Sequence, residues 1–417
     1  MSLADQAIAS ASSFVPLVAL ARFATPFDLG IYSLVFTIWV FATGIEHALI
    51  TGPYTFIPGT AGKDPQLHQG SIIAHHVAFM MICALFLLSV LPALSLNRNF
   101  HLGGGVLLAA GVTICAVLTR EFLRRVCFAG RSLRLVTVLD GSGAAIQLLL
   151  LGFLAMRHGL DVRSALYAIA ASTIPHLVYG TILTSRSKYS RAHVISTATQ
   201  HWMGGQWLFL STSVSAIPQQ IFPWCLALFF GPAATGMLAS CNGIVQSANP
   251  FLIGFTNYFG PHAVSIRRES GDLALRQTLV KATIVLGSFL SLYCLAILVF
   301  GSSVVAIVYG HRFAGESNVH TLWMLSLGVL ASQSTLPLGL VLMAMDRPRI
   351  NAFASIAAVL VSGTLGVMAV RLIGIEGVGL GLLLSGCAES AVKYINYARI
   401  RAPFACRPEV LQGESEA

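Results

Sequence analysis

The sequence predicts an all-α integral membrane protein: twelve transmembrane helices in two six-helix lobes, related as a parallel repeat, around a central cleft. Three observations carry this. The composition lacks the charge that a soluble surface needs, the apolar residues fall in continuous runs about as long as a bilayer is thick, and the basic residues between those runs favour alternate sides.

Of 417 residues, 56% are hydrophobic and 10% are charged, and the mean hydropathy is +0.78. A soluble domain carries about 25% charged residues, so the outer surface of this chain is expected to face lipid. Continuous apolar stretches of about 20 residues call for helices, because a barrel strand alternates and is about half as long. The net charge of +9 does not imply a nucleic-acid partner. The basic residues sit between apolar runs, as they do in membrane proteins. The eight cysteines form no Cys-x-x-Cys and lie mostly within apolar runs, where cysteine behaves as a small hydrophobe. No metal or cofactor is expected. The N-terminus lacks the basic region and small-residue cleavage site of a signal peptide, so the first span is expected to be retained.

Twelve candidate spans fall near 5–22, 30–51, 70–94, 103–119, 135–155, 164–184, 205–229, 233–256, 279–308, 320–344, 350–371 and 377–397. The ninth is long enough to tilt, and no loop is long enough for a folded soluble domain. With the N-terminus in the cytoplasm, 19 of the 25 Lys and Arg lie on the cytoplasmic side. They are Lys63, Arg120, Arg124, Arg125, Arg131, Arg134, Arg186, Lys188, Arg191, Arg267, Arg268, Arg276, Lys281, Arg347, Arg349, Lys393, Arg399, Arg401 and Arg407. Arg22, Arg98, Arg157, Arg163, Arg312 and Arg371 lie on the other. This satisfies the positive-inside rule and predicts a multi-pass protein of the cytoplasmic (inner) membrane with both termini in the cytoplasm.

An internal repeat divides the chain into residues 1–197 and 198–417. Pro26-x-x-x-Gly30 follows the first span and Pro232-x-x-x-Gly236 the seventh, 206 residues later. Within those two spans Ser13-x-x-Pro16 recurs as Ser215-x-x-Pro218. Such a pattern suggests two halves of like topology related by an axis along the membrane normal.

The first span of each half is also the most polar. Span one carries Ser10, Ser12, Ser13 and Pro16, and span seven carries Ser211, Thr212, Ser213, Ser215, Pro218, Gln219 and Gln220. Proline leaves a backbone carbonyl without its helical donor, and a hydrated cavity would satisfy both that carbonyl and the side chains. Close packing through small residues is the competing explanation, and it accounts poorly for Gln219 and Gln220. Span eight adds Asn242, Gln246 and Asn249 at helical spacing on one face. Ionisable residues in the bilayer are costly and therefore functional candidates. Glu46 and His47 stand together in span two, a carboxylate and an imidazole able to relay protons or to be structural. His75, His76 and Asp140 lie close enough to an interface to be simply hydrated. His176 is within span six. Glu389 and Lys393, spaced i, i+4, read as a structural ion pair. No phosphate loop, zinc-protease motif or nucleophile elbow occurs, so an enzyme is not expected.

Leu3-Ala4-Asp5-Gln6-Ala7, the stretch Leu20–Leu34, Arg120-Glu121-Phe122-Leu123-Arg124-Arg125, Tyr309–Gly315 and Asp346-Arg347-Pro348-Arg349 occur in this order along nearly the whole chain. Together they resemble the polysaccharide-transport (Wzx-like) flippases of the multidrug/oligosaccharidyl-lipid/polysaccharide exporter superfamily. The resemblance implies transfer of a polyprenyl-diphosphate-linked oligosaccharide to the outer leaflet for surface polysaccharide synthesis, by rocking of two lobes. It also implies association with a polysaccharide polymerase or glycosyltransferases, and coupling to H⁺ or Na⁺. The sequence departs from expectation in one respect. A diphosphate should meet Arg or Lys inside the cavity, yet spans one and two offer Arg22 near the outer end and His47 near the inner end. The Arg120–Arg125 cluster reads either as a cytoplasmic capture site or as a determinant of topology. Ser13, Arg22, Glu46, His47, Ser215, Gln219, Gln220, Asn242 and Gln246 are thus the candidate cleft residues. A multidrug/cation antiporter of the same superfamily is the alternative, and an intramembrane glycan polymerase or ligase a more distant one.

Overall fold

The computed structural model describes residues 2–56, 64–95, 103–130, 132–345 and 347–401. Lys63, Arg98, Arg131, Asp346, Cys406 and Arg407 lie outside the described residues. The described chain is all helical and contains no strand. The first half runs α1 (Ser2–Phe23), α2 (Pro26–Glu46), α3 (Gly52–Phe56), α4 (Pro65–Ser95), α5 (Gly104–Ala129), α6 (Leu133–Met156), α7 (Val162–Ser172) and α8 (Ile174–Ser185). The second runs α9 (Arg191–Phe230), α10 (Pro232–Val245), α11 (Asn249–Tyr309), α12 (Glu316–Gln333), α13 (Leu336–Ala344), α14 (Pro348–Val361), α15 (Val367–Ile373) and α16 (Ile375–Arg401). The 197/198 boundary falls inside α9.

Among the described residues, nine helices are long and apolar enough to cross a membrane, or ten if the bent pair α7–α8 counts as one span. Twelve were expected, and each departure has a reason. The polar start of α1 leaves Ser10–Phe23 as a shorter apolar helix. Expected span six is broken at Thr173 by a 40° bend. Expected spans eight and nine are joined in the helical run Pro232–Tyr309 of 78 residues, against about 20 needed for one crossing. That run is interrupted by a 3₁₀ turn at Gln246–Ala248 and by Gly271, whose φ of 75° only glycine adopts readily. The 3₁₀ turn also shifts Asn249 out of the α-helical register expected with Asn242.

A capped turn sets up the contact between the halves of the chain. Thr25 caps α2: its hydroxyl accepts from Asp28 N at 3.1 Å, and Asp28 Oδ2 accepts from Thr25 N at 3.1 Å. Asp28 Oδ1 also accepts from Val162 N at 3.3 Å, fastening α7 to the same turn. On that footing α2 crosses α10 at the repeated Pro-x-x-x-Gly motifs. A side chain on Gly30 would overlap the carbonyl of Pro232, and one on Gly236 would overlap the carbonyl of Pro26. Deeper in, Trp224 Nε1 of α9 donates to Thr37 Oγ1 of α2 at 2.8 Å. A core of buried residues including Leu29, Tyr32, Phe222, Leu226 and Leu238 fills the seam.

Candidate functional site

The site begins at a proline. Pro16 has no N–H, so the carbonyl of Ser12 loses its donor four residues on. Gln147 of α6, only 2% exposed, supplies one: its Nε2 donates to Ser12 O at 2.7 Å. The orphan carbonyl of span one is therefore held by a side chain from another helix. This ties α1 to α6 and sets Ser12 at the edge of a small, partly open recess.

The recess is lined by Ser12, Arg120, Glu121, Arg124, Asp140, Gly143, Ala144 and His176. Arg120 and Arg124 project from one face of α5, one turn apart. Arg124 Nε donates to Asp140 Oδ2 at 2.8 Å, and His176 Nε2 stands 3.0 Å from Asp140 Oδ1. Arg120 donates to Glu121 at 2.8 Å, with Arg124 Nη1 3.8 Å from the other carboxylate oxygen. A Cβ on Gly143 would lie 2.7 Å from the Ser172 carbonyl, so glycine lets α6 approach the α7–α8 bend that presents His176. Arg120 Nε and His176 Nδ1 are buried and without a hydrogen-bond partner among the described residues.

A second arm lies alongside. Glu46, at the end of α2, stands with its Oε1 2.5 Å from His76 Nδ1 of α4. The other ring nitrogen of His76 is 3.3 Å from Thr119 Oγ1, and the imidazole stacks on Phe122 at 4.2 Å. Arg125 acts on Glu46 electrostatically. Across both arms three guanidiniums oppose three carboxylates, with two imidazoles between them. Glu46 is engaged by His76, Glu121 by Arg120, and Asp140 by Arg124 and His176.

At the end of the bundle that the charge distribution assigns to the outside, Arg22 and Arg312 reach across in opposite directions. Arg22, in the last turn of α1, donates to the carbonyls of Val308, at 2.8 Å, and Ile307, in the last turn of α11. Arg312 returns the contact, donating to Ala24 O at 2.6 Å and to Ala21 O. Gly310, with φ of 100°, turns the chain so that Arg312 faces back toward α1. Each guanidinium thus fills the carbonyl end of the other helix, where unsatisfied acceptors and the helix dipole favour a cation.

The structure brings few of the sequence candidates together. Glu46 pairs with His76 and not with His47, whose Nδ1 is 3.1 Å from Thr51 Oγ1 in a short π-helix. His76 and Asp140 are buried and paired, where the sequence allowed simple hydration at an interface. Ser13 is exposed on α1 beside the recess-lining Ser12. Ser215 is exposed and donates to Thr212 O within α9. Gln219 is exposed, and Gln220, Asn242 and Gln246 are half-buried. Glu389 and Lys393 form their i, i+4 pair at 2.7 Å. The Arg120–Arg125 cluster, open between capture and topology, sends Arg120 and Arg124 into the recess. Sequence reasoning missed Gln147 altogether. The one signal for it was a lone glutamine in an apolar run.

No protein-family profile matches the chain, and no curated protein does. Solved structures do. A multidrug resistance MATE family transporter of the MOP superfamily in an inward-facing conformation matches with a TM-score of 0.75 at 13% identity, over 95% of this chain and 96% of that one. A MATE family transporter in an outward-facing conformation gives 0.59 at 14% identity, over 96% and 93% of the two chains. The lipid II flippase MurJ in an inward closed conformation gives 0.71 at 14% identity, over 95% and 87%. The chain has the fold of MOP superfamily multidrug transporters and of a lipid II flippase.

Proposed function

We propose that this protein is a flippase that moves polyprenyl-diphosphate-linked oligosaccharide across the inner membrane for surface polysaccharide synthesis. It works as two six-helix lobes of twelve spans, with both termini cytoplasmic. The observation that carries this reading is the recess itself, where arginines and carboxylates balance but Arg120 keeps a buried Nε without a hydrogen-bond partner among the described residues. Its arginines suit a diphosphate, which guanidinium binds in bidentate fashion. Its carboxylates are already engaged, so a lipophilic cation would find no free acid. Arg120, with a buried unpartnered Nε, is the group best placed to receive a phosphate oxygen. The likeness to a lipid II flippase supports a lipid-linked substrate, and the higher score against the inward-facing MATE transporter supports a cytoplasm-facing state. Polymerase or glycosyltransferase partners would meet the lipid-linked product or precursor at the membrane.

Coupling, to H⁺ or Na⁺, would act through Glu46 and His76, a buried acid–imidazole pair with no arginine hydrogen-bonded to it among the described residues. The test is transfer of a fluorescent polyprenyl-diphosphate oligosaccharide in proteoliposomes, compared between wild type and Arg120→Gln. Transfer that is lost in the variant supports the reading. Absence of transfer by wild type, with uptake of a lipophilic cation instead, would assign the protein to multidrug export.

A further inference from the structure

Four histidines gather outside the recess, where the start of α9 lies along α4. His68 and His75 come from α4, and His193 and His201 from α9. The ring centroids of His68 are 6.1 Å from His193 and 6.0 Å from His201, and His75 is 5.9 Å from His201. Tyr54 of α3 covers His68 at 5.5 Å. His68 and His201 are 1% and 2% exposed. Both ring nitrogens of each, and Nε2 of His193, are buried without a hydrogen-bond partner among the described residues. His75 is engaged, its Nε2 lying 3.0 Å from the Val194 carbonyl of α9.

Among the described residues, no acid is hydrogen-bonded or ion-paired to these four rings. On α4, His76 faces away toward α2 and holds Glu46. Asp64, before α4, is paired with Lys188. Tyr54 lies against His68, and other ionisable groups on the surrounding elements include Arg191 on α9, His47 after α2, and Arg125 and Cys127 on α5. No group of three or more His, Cys, Asp or Glu among the described residues is placed to hold a metal ion. An unpaired imidazole in such a place is stable only while neutral.

We propose that this histidine cluster is a proton-sensitive clasp, holding the linker helix α9 against α4 while His68, His75 and His201 are neutral and releasing it when they are protonated. The clasp matters because α9 is continuous. Its first turns pack on the first half of the chain, with Gly205 against the Ala48 carbonyl, and its last turns, Thr212–Phe230, form an apolar span of the second. Release at the start of α9 therefore frees the second half from the first at the end assigned to the cytoplasm.

His201 precedes that apolar span. Burial, and then the neighbouring His75 and His68, push its imidazole down to about 4. A base held below its usual 6.5 stabilises the packed arrangement above pH 6.5. That stabilisation is lost as pH falls from there toward 4, by up to about tenfold per pH unit for each proton taken up.

The test is a spin-label distance measurement on the full chain in nanodiscs, in a background without native cysteines. Labels are placed on the exposed Gln66→Cys and Thr199→Cys positions, on α4 and α9. Taking the pH from about 7.5 to about 5 should lengthen or broaden the distance reversibly, and His68→Gln with His201→Gln should remove the response. A distance that stays constant over this range with all four histidines present overturns the proposal, whether or not the double variant folds. So does an unchanged response in a folded double variant. The readout is independent of any substrate, so its failure leaves the flippase reading standing.

Discussion

Gly30 and Gly236 meet where α2 crosses α10, and each lies against the carbonyl of the proline that opens the other's helix. A Cβ on Gly236 would stand 3.0 Å from Gly30 N, and one on Gly30 3.1 Å from Gly236 N. The repeated Pro-x-x-x-Gly motifs are therefore two sides of one close approach.

Gly30→Ala or Gly236→Ala should accordingly separate the helices at this crossing. The expected cost is about 1–3 kcal/mol for each, the usual range for forcing a methyl into a packed site. Thermal unfolding in detergent checks it. Gly254, with open space around its Cα, is the control, and Gly254→Ala should leave the midpoint unchanged or raised.

The reciprocal arginines make a second expectation. Replacing Arg22 or Arg312 by Gln removes a cation from the carbonyl end of the opposing helix, an interaction worth about 0.3–1 kcal/mol through the dipole alone. The double variant should open the end assigned to the outside more than either single change does. Cysteines at the exposed Ser13 and Ser215, in a background without native cysteines, then gain reactivity toward an impermeant thiol reagent added outside. Labelling rates equal to those with both arginines in place would show that the pair does not hold this end shut.

Asp140→Asn should be among the most damaging single changes, because it removes the nearer of the two carboxylates that hold the Arg124 guanidinium in a largely buried setting. Breaking such a pair costs about 3–5 kcal/mol. Arg124→Gln added to Asp140→Asn should recover part of the lost stability while transport stays lost. The comparison of expression, unfolding midpoint and flipping across the four proteins measures the coupling.

For Gln147 the expected loss has a built-in rescue. Gln147→Leu strands the Ser12 carbonyl, at about 1–3 kcal/mol. Pro16→Ala restores the missing N–H to the helix, so the double variant should be more stable than Gln147→Leu alone.

Much of the helical layout could be read from the sequence because it is written locally. Apolar runs and the Pro-x-x-x-Gly motifs that open α2 and α10 each depend on neighbours within a few residues. The recess was hidden for the opposite reason. Ser12 and Gln147 are 135 positions apart, and nothing near Gln147 declares which helix it faces. Pro16 announced an orphan carbonyl but not its donor. Arg120 and Arg124 were masked by their place at a helix end that the charge distribution assigns to the cytoplasm, where basic residues are expected for topology alone. Glu46 has a histidine next to it in sequence, and adjacency suggested a pair. On a helix, successive residues point about 100° apart, and the imidazole that reaches Glu46 comes from α4.

The linker helix α9 has one further consequence. Its 40 residues make a rod about 60 Å long, anchored near one end on the first half of the chain and built at the other into the second. A rod so anchored behaves as a crankshaft: tilting one half must twist or bend it. Within α9 the backbone ladder is missing rungs where Pro218 and Pro223 lack a donor, so bending is easiest over those two turns, beside Gln219 and Gln220.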